Sequence, residues 1–315
     1  MSLLAIIPCY NEGLSIQETI RSILLVDPTA SILVVDNAST DDTSAKARAL
    51  GASVLFEPRA GKGIAFRRGL VFLSPKISAV LMVDGDATYG MESLAEAVQM
   101  VTREGYDMII GIRNESILRI EDRKDNYRRG HVAGNKFLSW IFRKFFNLEI
   151  SDTLSGWRVF SPAFLYSFQG GNSGFELEAE INAHVRSINA LIAECPISYH
   201  GRMEGSESKL STYRDGWKIF RRNTQLVKDE RPLMAFGFLA TPWLLISLIL
   251  FSIVISDYLN TGLVPRFPSL IAAVGAFAVA AQLWVTGMIL ERVKLNRNTL
   301  LQATYRSWLL NQKHS

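Results

Sequence analysis

The chain has 315 residues, 48% of them hydrophobic, and a formal net charge of +4, which is enough for roughly two domains and a sizeable core. Its two cysteines and four histidines lack ligand spacing, which excludes a disulfide framework and a histidine-bound zinc site. The mild positive charge suits an anionic partner, but no basic patch with interleaved aromatics supports nucleic-acid binding.

Residues 3–7 (LLAII) form an apolar run that reads as a strand, ended by Pro8 and Asn11. The run is too short for a secretory h-region and lacks a basic n-region, so a cytoplasmic location is expected. Next come a helix over 16–25, a strand over 31–35 ending at Asp36, a helix over 43–50 and a strand over 53–56. A helix over 63–73, a strand over 79–83, a helix over 91–103 and a strand over 107–111 follow. This alternation predicts an α/β domain of βαβ units, a mostly parallel sheet with helices on both faces. Ligands bind such sheets outside the carboxyl ends of the strands. Pro8, Tyr10 and Asn11, then Asp36, then Asp84 and Asp86 all fall at those ends.

Asp84-Gly85-Asp86 carries the strongest chemical signal. It places two carboxylates beside one glycine where a buried strand stops. Hard divalent cations favour such oxygens and complete their shells with substrate phosphates. A polar loop would also account for the triplet taken alone. Gly61-Lys62-Gly63 opens the following helix and suits a phosphate contact. It is not a P-loop, because the required spacing is absent. Arg59 is a second candidate, and a solvated loop is the alternative for both.

Residues 113–129 read as a long charged loop, and 134–146 as an aromatic amphipathic helix whose face meets either the core or a lipid. Residues 234–255 and 269–290 are apolar and nearly free of charge, each long enough to cross a bilayer. A buried helix pair is the alternative. Lys218, Arg221, Arg222, Lys228 and Arg231 precede the first run, and Arg292, Lys294 and Arg297 follow the second. Only Arg266 lies between, so both ends should face the cytoplasm. The expected organisation is a catalytic domain over 1–215, a basic interfacial helix over 216–232, a transmembrane hairpin over 233–292 and a cytoplasmic tail over 293–315. The tail reads equally as an interfacial helix or as loosely ordered.

The motifs IIPCYNEG at 6–13, VVDNASTDDT at 34–43, GKG at 61–63, DGDATYG at 84–90 and SGWR at 155–158 together resemble glycosyltransferase family two. Within it they are similar to the polyprenyl-phosphate glycosyltransferases, of which dolichyl-phosphate mannosyltransferase is one. The resemblance covers 1–231 by motif and the hairpin by architecture. It implies a GT-A (Rossmann-like) fold, a nucleotide-sugar donor, Mg²⁺ or Mn²⁺, and inverting transfer of one sugar to a polyprenyl phosphate lipid. Uridine is the expected nucleoside, and a homo-oligomer is left open.

By the same resemblance Pro8, Tyr10, Glu12 and Asp36 hold the nucleoside, although Asp36 also suits a turn or cap. Asp86 is the expected principal metal ligand, with Asp84 its partner through ribose or metal. Several relatives carry a Gln two residues later, where this chain has Thr88. Arg113, Arg128 and Arg129, with His131 and Asn135 nearby, are candidates to grip the acceptor phosphate, since guanidinium matches phosphate in a bidentate manner. Asp152 is expected beside the acceptor, as a base or an orienting group. Ser155, Gly156 and Arg158 should shape its pocket, and Lys209 is a weaker phosphate candidate. Glu176, Glu178 and Glu180 read either as pocket acids or as an exposed helix start, the second being preferred. The chain lacks the QxxRW signature of processive synthases.

Overall fold

Runs of β-branched and small residues without a polar face form strands only where both sides are covered. Strand β1 (Leu3–Cys9) is buried along its whole length, and β4 (Ala79–Met82) likewise. The computed structural model describes residues 2–113, 150–168, 177–201, 228 and 231–312. The other elements of the sheet are β2 (Ser31–Asp36), β3 (Ser53–Phe56), β5 (Met108–Arg113), β6 (Arg158–Phe160) and β7 (Ile192–Ile197). The seven strands stand in the order β3-β2-β1-β4-β6-β5-β7. All pairings are parallel except those of β6, which runs antiparallel to both β4 and β5.

Amphipathic helices cover this sheet. In α1 (Ile16–Val26) Ile16, Thr19, Ile20 and Ile23 are buried at helical spacing. Helices α2 (Thr43–Ala49) and α3 (Lys62–Gly69) follow, and in α4 (Leu94–Arg103) Leu94, Ala97 and Val101 are buried. Helices α5 (Pro162–Ser167) and α6 (Leu177–Ile188) follow the antiparallel strand in sequence. The core gathers Ile7, Val34, Leu81, Ile109 and Trp157. Cys9 and Cys195 lie in it as free thiols, and burial pushes the Cys195 thiol up to about 12.

The order β2-β1-β4 contains the switch point at which successive crossovers leave in opposite directions. Pairing of β1 with β4 ends at Ile6 and Met82, whereas pairing of β1 with β2 continues to Cys9 and Asp36. Pro8, which has no N–H to donate, therefore lies where β4 has already let go. A cleft opens between the two strand ends.

The chain divides into two compact units, Met1–Leu210 with Leu300–Ser315, and Ser211–Thr299. The second unit contains most of two long apolar helices, α7 (Pro232–Thr261) and α8 (Phe267–Gln312). Both are long and apolar enough to cross a membrane, by length and composition. Phe238, Leu239, Trp243, Leu248 and Phe277 are exposed along them. Ala240, Ser247 and Val254 of α7 are buried at heptad spacing, as are Ala273 and Ala280 of α8. The Ser247 hydroxyl donates to the Ala273 carbonyl at 2.8 Å. Small residues let helix backbones approach closely. At Gly287 a Cβ would stand 3.3 Å from Leu233 Cα and 3.0 Å from Phe236 Cβ. Gly287→Leu is expected to lower the melting temperature of the detergent-solubilised protein, through about 1–3 kcal/mol of overpacking. An unchanged melt would show that the two helices do not meet there.

Helix α8 has 46 residues, about 69 Å of helix against a hydrocarbon core of about 30 Å. Its last turns, read from sequence as an interfacial helix or a loose tail, are helical and belong to the first unit. Leu301 and Trp308 are buried there. Trp308 lies 4.6 Å from the Tyr166 ring, the Tyr305 hydroxyl donates to Asp107 at 2.8 Å, and Gln302 Nε2 donates to the Ser187 carbonyl at 3.0 Å. The spacing of 301, 305 and 308 is one helical face, which the apolar run before it had obscured.

Candidate active site

The loop after β1 is stitched to the loop after β2. The Asn11 N–H donates to Ser39 Oγ at 3.0 Å, the Glu12 N–H to Thr43 Oγ1 at 2.9 Å and the Gly13 N–H to Asp41 at 2.9 Å. Asn11 takes positive φ to make this turn. Pro8 is buried in β1, Glu12 is half-buried, and the Tyr10 ring is exposed beside them. Asp36 is buried and accepts from the Ser39 N–H at 2.8 Å and from the Ser44 hydroxyl. The turn-bracing role for Asp36 thus holds, and an ionised carboxylate has acceptor positions beyond these two.

Asn37 then sets the next loop. Its amide donates to the carbonyls of Glu57 and Arg59 at 3.0 and 2.6 Å, and its oxygen accepts from the Gly61 N–H at 2.6 Å. This delivers Lys62, the first residue of α3, to the cleft. Arg59 instead points to Glu57, at 2.8 Å, and its side chain is largely exposed.

Beyond β4 the Ser15 hydroxyl holds the Gly85 carbonyl at 2.9 Å. Asp86 is buried and accepts from both the N–H and the hydroxyl of Thr88, at 3.2 and 2.7 Å. Ala87 has positive φ. Thr88 thus orients Asp86. Asp84 receives the Lys62 ammonium at 2.5 Å, and the same ammonium reaches Glu178 at 2.7 Å. Burial disfavours the Lys62 charge, but Asp84 and Glu178 outweigh it and hold its pKa above the ordinary range. Glu178 does begin a helix, α6, yet it is buried rather than exposed. The preference for an exposed helix start is corrected there, because Lys62 neutralises it. Glu180 pairs with Arg67 at 3.7 Å.

Arg113 and Asp152 form a bidentate pair, Nε to Oδ2 at 2.6 Å and Nη2 to Oδ1 at 2.8 Å. The guanidinium also lies 5.3 Å from the centre of the Tyr199 ring. Burial opposes its charge, but the Asp152 bonds raise its pKa further above the ordinary range. Tyr199 meets the Tyr89 ring edge-on at 5.3 Å, and the Tyr89 hydroxyl accepts from the Gly156 N–H at 3.0 Å.

Ser155 is fully buried, with its hydroxyl accepting from the Trp157 N–H at 3.4 Å, so it builds the wall and does not line the surface. Arg158 is fully buried too. It donates to the carbonyls of Ser155 and Thr153 at 3.0 and 3.1 Å and to Asn182 at 2.6 Å. Burial lowers its pKa to about 10 despite nearby Glu178, which still leaves it charged at neutral pH. Arg158 therefore braces the 153–155 loop from behind. Arg128, Arg129, His131, Asn135, Glu176 and Lys209 lie outside the described residues.

The fold thus brings Lys62 together with Asp84 and Glu178, sets Asp86 two residues on from Asp84 with Thr88 bonded to it, and pairs Arg113 with Asp152. Sequence reasoning missed the anchoring by Glu178 and the paired rings of Tyr89 and Tyr199. Glu178 shares a helical face with the buried Ile181, Asn182 and Val185, which is the signal that would have found it. Among the described residues no group of three or more His, Cys, Asp or Glu could hold a metal ion. Asp84 and Asp86 are hard oxygen donors of the kind that bind Mg²⁺ or Mn²⁺ when substrate phosphates complete the shell. The donor set fits that use.

Gly156 closes over this cluster. A Cβ there would stand 3.1 Å from Lys62 Nζ and collide with Asp84 Oδ2. Gly156→Val is expected to cut kcat/KM by about 10–100-fold, because a misplacement near the reacting groups of about 1 Å has that effect. Steady-state kinetics with a melting curve would check it.

The family described as Glycosyl transferase family 2 matches residues 4–169. The chain is 31% identical over 232 residues to Glycosyltransferase AglJ of Haloferax volcanii, covering 73% of each protein. It is 29% identical over 224 residues to a dolichyl-phosphate hexose transferase of the same organism, covering 70% of this chain and 92% of that one. Among solved structures it is similar to glucosyl-3-phosphoglycerate synthase from Mycobacterium tuberculosis in complex with Mn²⁺ and uridine-diphosphate-glucose. The TM-score is 0.56 at 19% identity, covering 73% of this chain and 78% of that one, a likeness of fold.

Proposed function

Because this chain belongs to glycosyl transferase family 2, we propose that it moves a single hexose, with inversion, from a UDP-sugar to a polyprenyl phosphate at the cytoplasmic leaflet of the membrane. The observation that carries the reading is the Lys62 ammonium, held between Asp84 on the turn after β4 and Glu178 of α6. A relative named for dolichyl-phosphate hexose transfer, a structural neighbour solved with uridine-diphosphate-glucose and two apolar helices support it.

Pro8, Tyr10, Glu12 and Asp36 line the strand ends that suit a nucleoside. Asp84 and Asp86 would hold a divalent cation, which when bound would supply Lewis-acid neutralisation of the leaving diphosphate. Lys62 adds a fixed positive charge on the same side. The acceptor phosphate is anionic near neutral pH, so attack needs positioning more than proton removal. Asp152 then holds Arg113 ready for that phosphate rather than abstracting a proton. Arg128, Arg129, His131, Asn135 and Lys209 are proposed to complete the grip. The bias of Lys and Arg toward the outer ends of the two apolar runs supports a cytoplasmic site.

The test incubates membranes containing the full chain with a panel of labelled nucleotide sugars and undecaprenyl phosphate, with and without EDTA. Label should enter the lipid fraction with one UDP-sugar, only when the lipid phosphate is added, and EDTA should abolish it. Absence of labelled lipid across the panel, or transfer indifferent to EDTA, would overturn the reading.

A further inference from the structure

We propose that Glu178 is a positioning residue, whose carboxylate holds the Lys62 ammonium in place when Asp84 turns from that ammonium to a divalent cation. The inference rests on the metal-assisted donor site above and adds a thermodynamic coupling to it. Lys62 is shared between two carboxylates, at 2.5 Å from Asp84 and 2.7 Å from Glu178. The two are not equivalent. The Asp84 side chain is 28% exposed, and that of Glu178 only 4%. Asp84 stands on the turn after β4 and faces the cleft, whereas Glu178 is fixed in the first turn of α6, within the field of the buried Arg158. Gly156 leaves just enough room for the Lys62–Asp84 contact.

A buried charge that loses its only partner is strongly destabilising. With Glu178 present, a cation can draw Asp84 away and Lys62 still has a counter-charge. Without it, Asp84 cannot leave until a diphosphate arrives to take its place beside Lys62. Loss of the Glu178 charge should therefore weaken cation binding chiefly when no nucleotide is bound, and binding of the two ligands should become more strongly coupled.

The test titrates the detergent-solubilised full chain with Mn²⁺, following free Mn²⁺ by electron paramagnetic resonance, with and without saturating UDP. Glu178→Gln should weaken Mn²⁺ binding about tenfold or more without UDP and less than about threefold with it. Lys62→Met, which removes the ammonium, should tighten Mn²⁺ binding without UDP, and adding Glu178→Gln to it should change neither titration. Equal losses with and without UDP, the same Glu178→Gln effect in the Lys62→Met background, or weaker binding in Lys62→Met would each overturn the inference. Should Glu178→Gln fail to fold, Glu178→Asp, which draws the carboxylate back from Lys62, takes its place in the same titrations, with the same outcomes deciding. Failure of the unaltered protein to bind Mn²⁺ even with UDP would overturn the donor-site reading, and this inference with it.

Discussion

Replacing both acids of the triplet, Asp84→Asn with Asp86→Asn, should reduce the proposed sugar transfer to lipid at least about 10³-fold, since charge neutralisation of a leaving group accounts for several kcal/mol of the barrier. The fold should survive. The Asp86→Asn side chain would keep an oxygen for the two donors of Thr88, at 3.2 and 2.7 Å in the unaltered protein. Lys62 would keep Glu178 at 2.7 Å. The melting temperature should therefore move by no more than a few degrees, which corresponds to about 1 kcal/mol in a unit of this size. Transfer assays alongside melts check both halves. Intact transfer would remove the two carboxylates from the chemistry.

The second large effect falls on the Arg113–Asp152 pair. Asp152→Ala leaves a guanidinium whose side chain is only 22% exposed without its bidentate partner. Breaking a buried pair costs about 3–5 kcal/mol, and the partial exposure of Arg113 brings the expected loss to about 2–4 kcal/mol. Denaturant melts of the solubilised protein would read it. Asp152→Asn keeps the shape and is expected to retain the fold while lowering transfer about 10–100-fold. The pH profile separates the two roles of this acid. If Asp152 acts through Arg113, the Asn variant lowers the rate evenly across neutral pH and leaves the acidic limb in place. A general base would take that limb with it.

The first five strands were legible to within a few residues, because strands of a parallel sheet buried on both faces read as apolar runs between turn residues. β3 was placed at its observed bounds, and β1 was extended only by Pro8 and Cys9. β6 and β7 were missed, and β6 shows why most clearly. It has three residues, begins with a charged one and runs antiparallel. Arg158, expected to shape the acceptor pocket, is instead fully buried, where it meets Asn182 and the Thr153 carbonyl. The carboxylates of the triplet were legible from their place at a strand end. Glu178 was not, because its partner lies 116 residues away and only tertiary pairing turns a helix-start acid into a buried one.

The hydrogen bond between Asp107 and Tyr305 joins residues 198 apart, and the apolar hairpin lies between them in the chain. During synthesis, N-terminal segments leave the ribosome first. The sheet, the triplet and most of the cleft are thus translated well before Leu301, Tyr305 and Trp308 can dock. The apolar helices must be accommodated while the transferase body still lacks its final piece. Completion of the enzyme is in this way tied to the fate of the apolar segment translated before those residues, and a nascent chain stalled ahead of Leu300 would hold Asp84, Asp86, Asp152 and Glu178 in a body that is not yet closed.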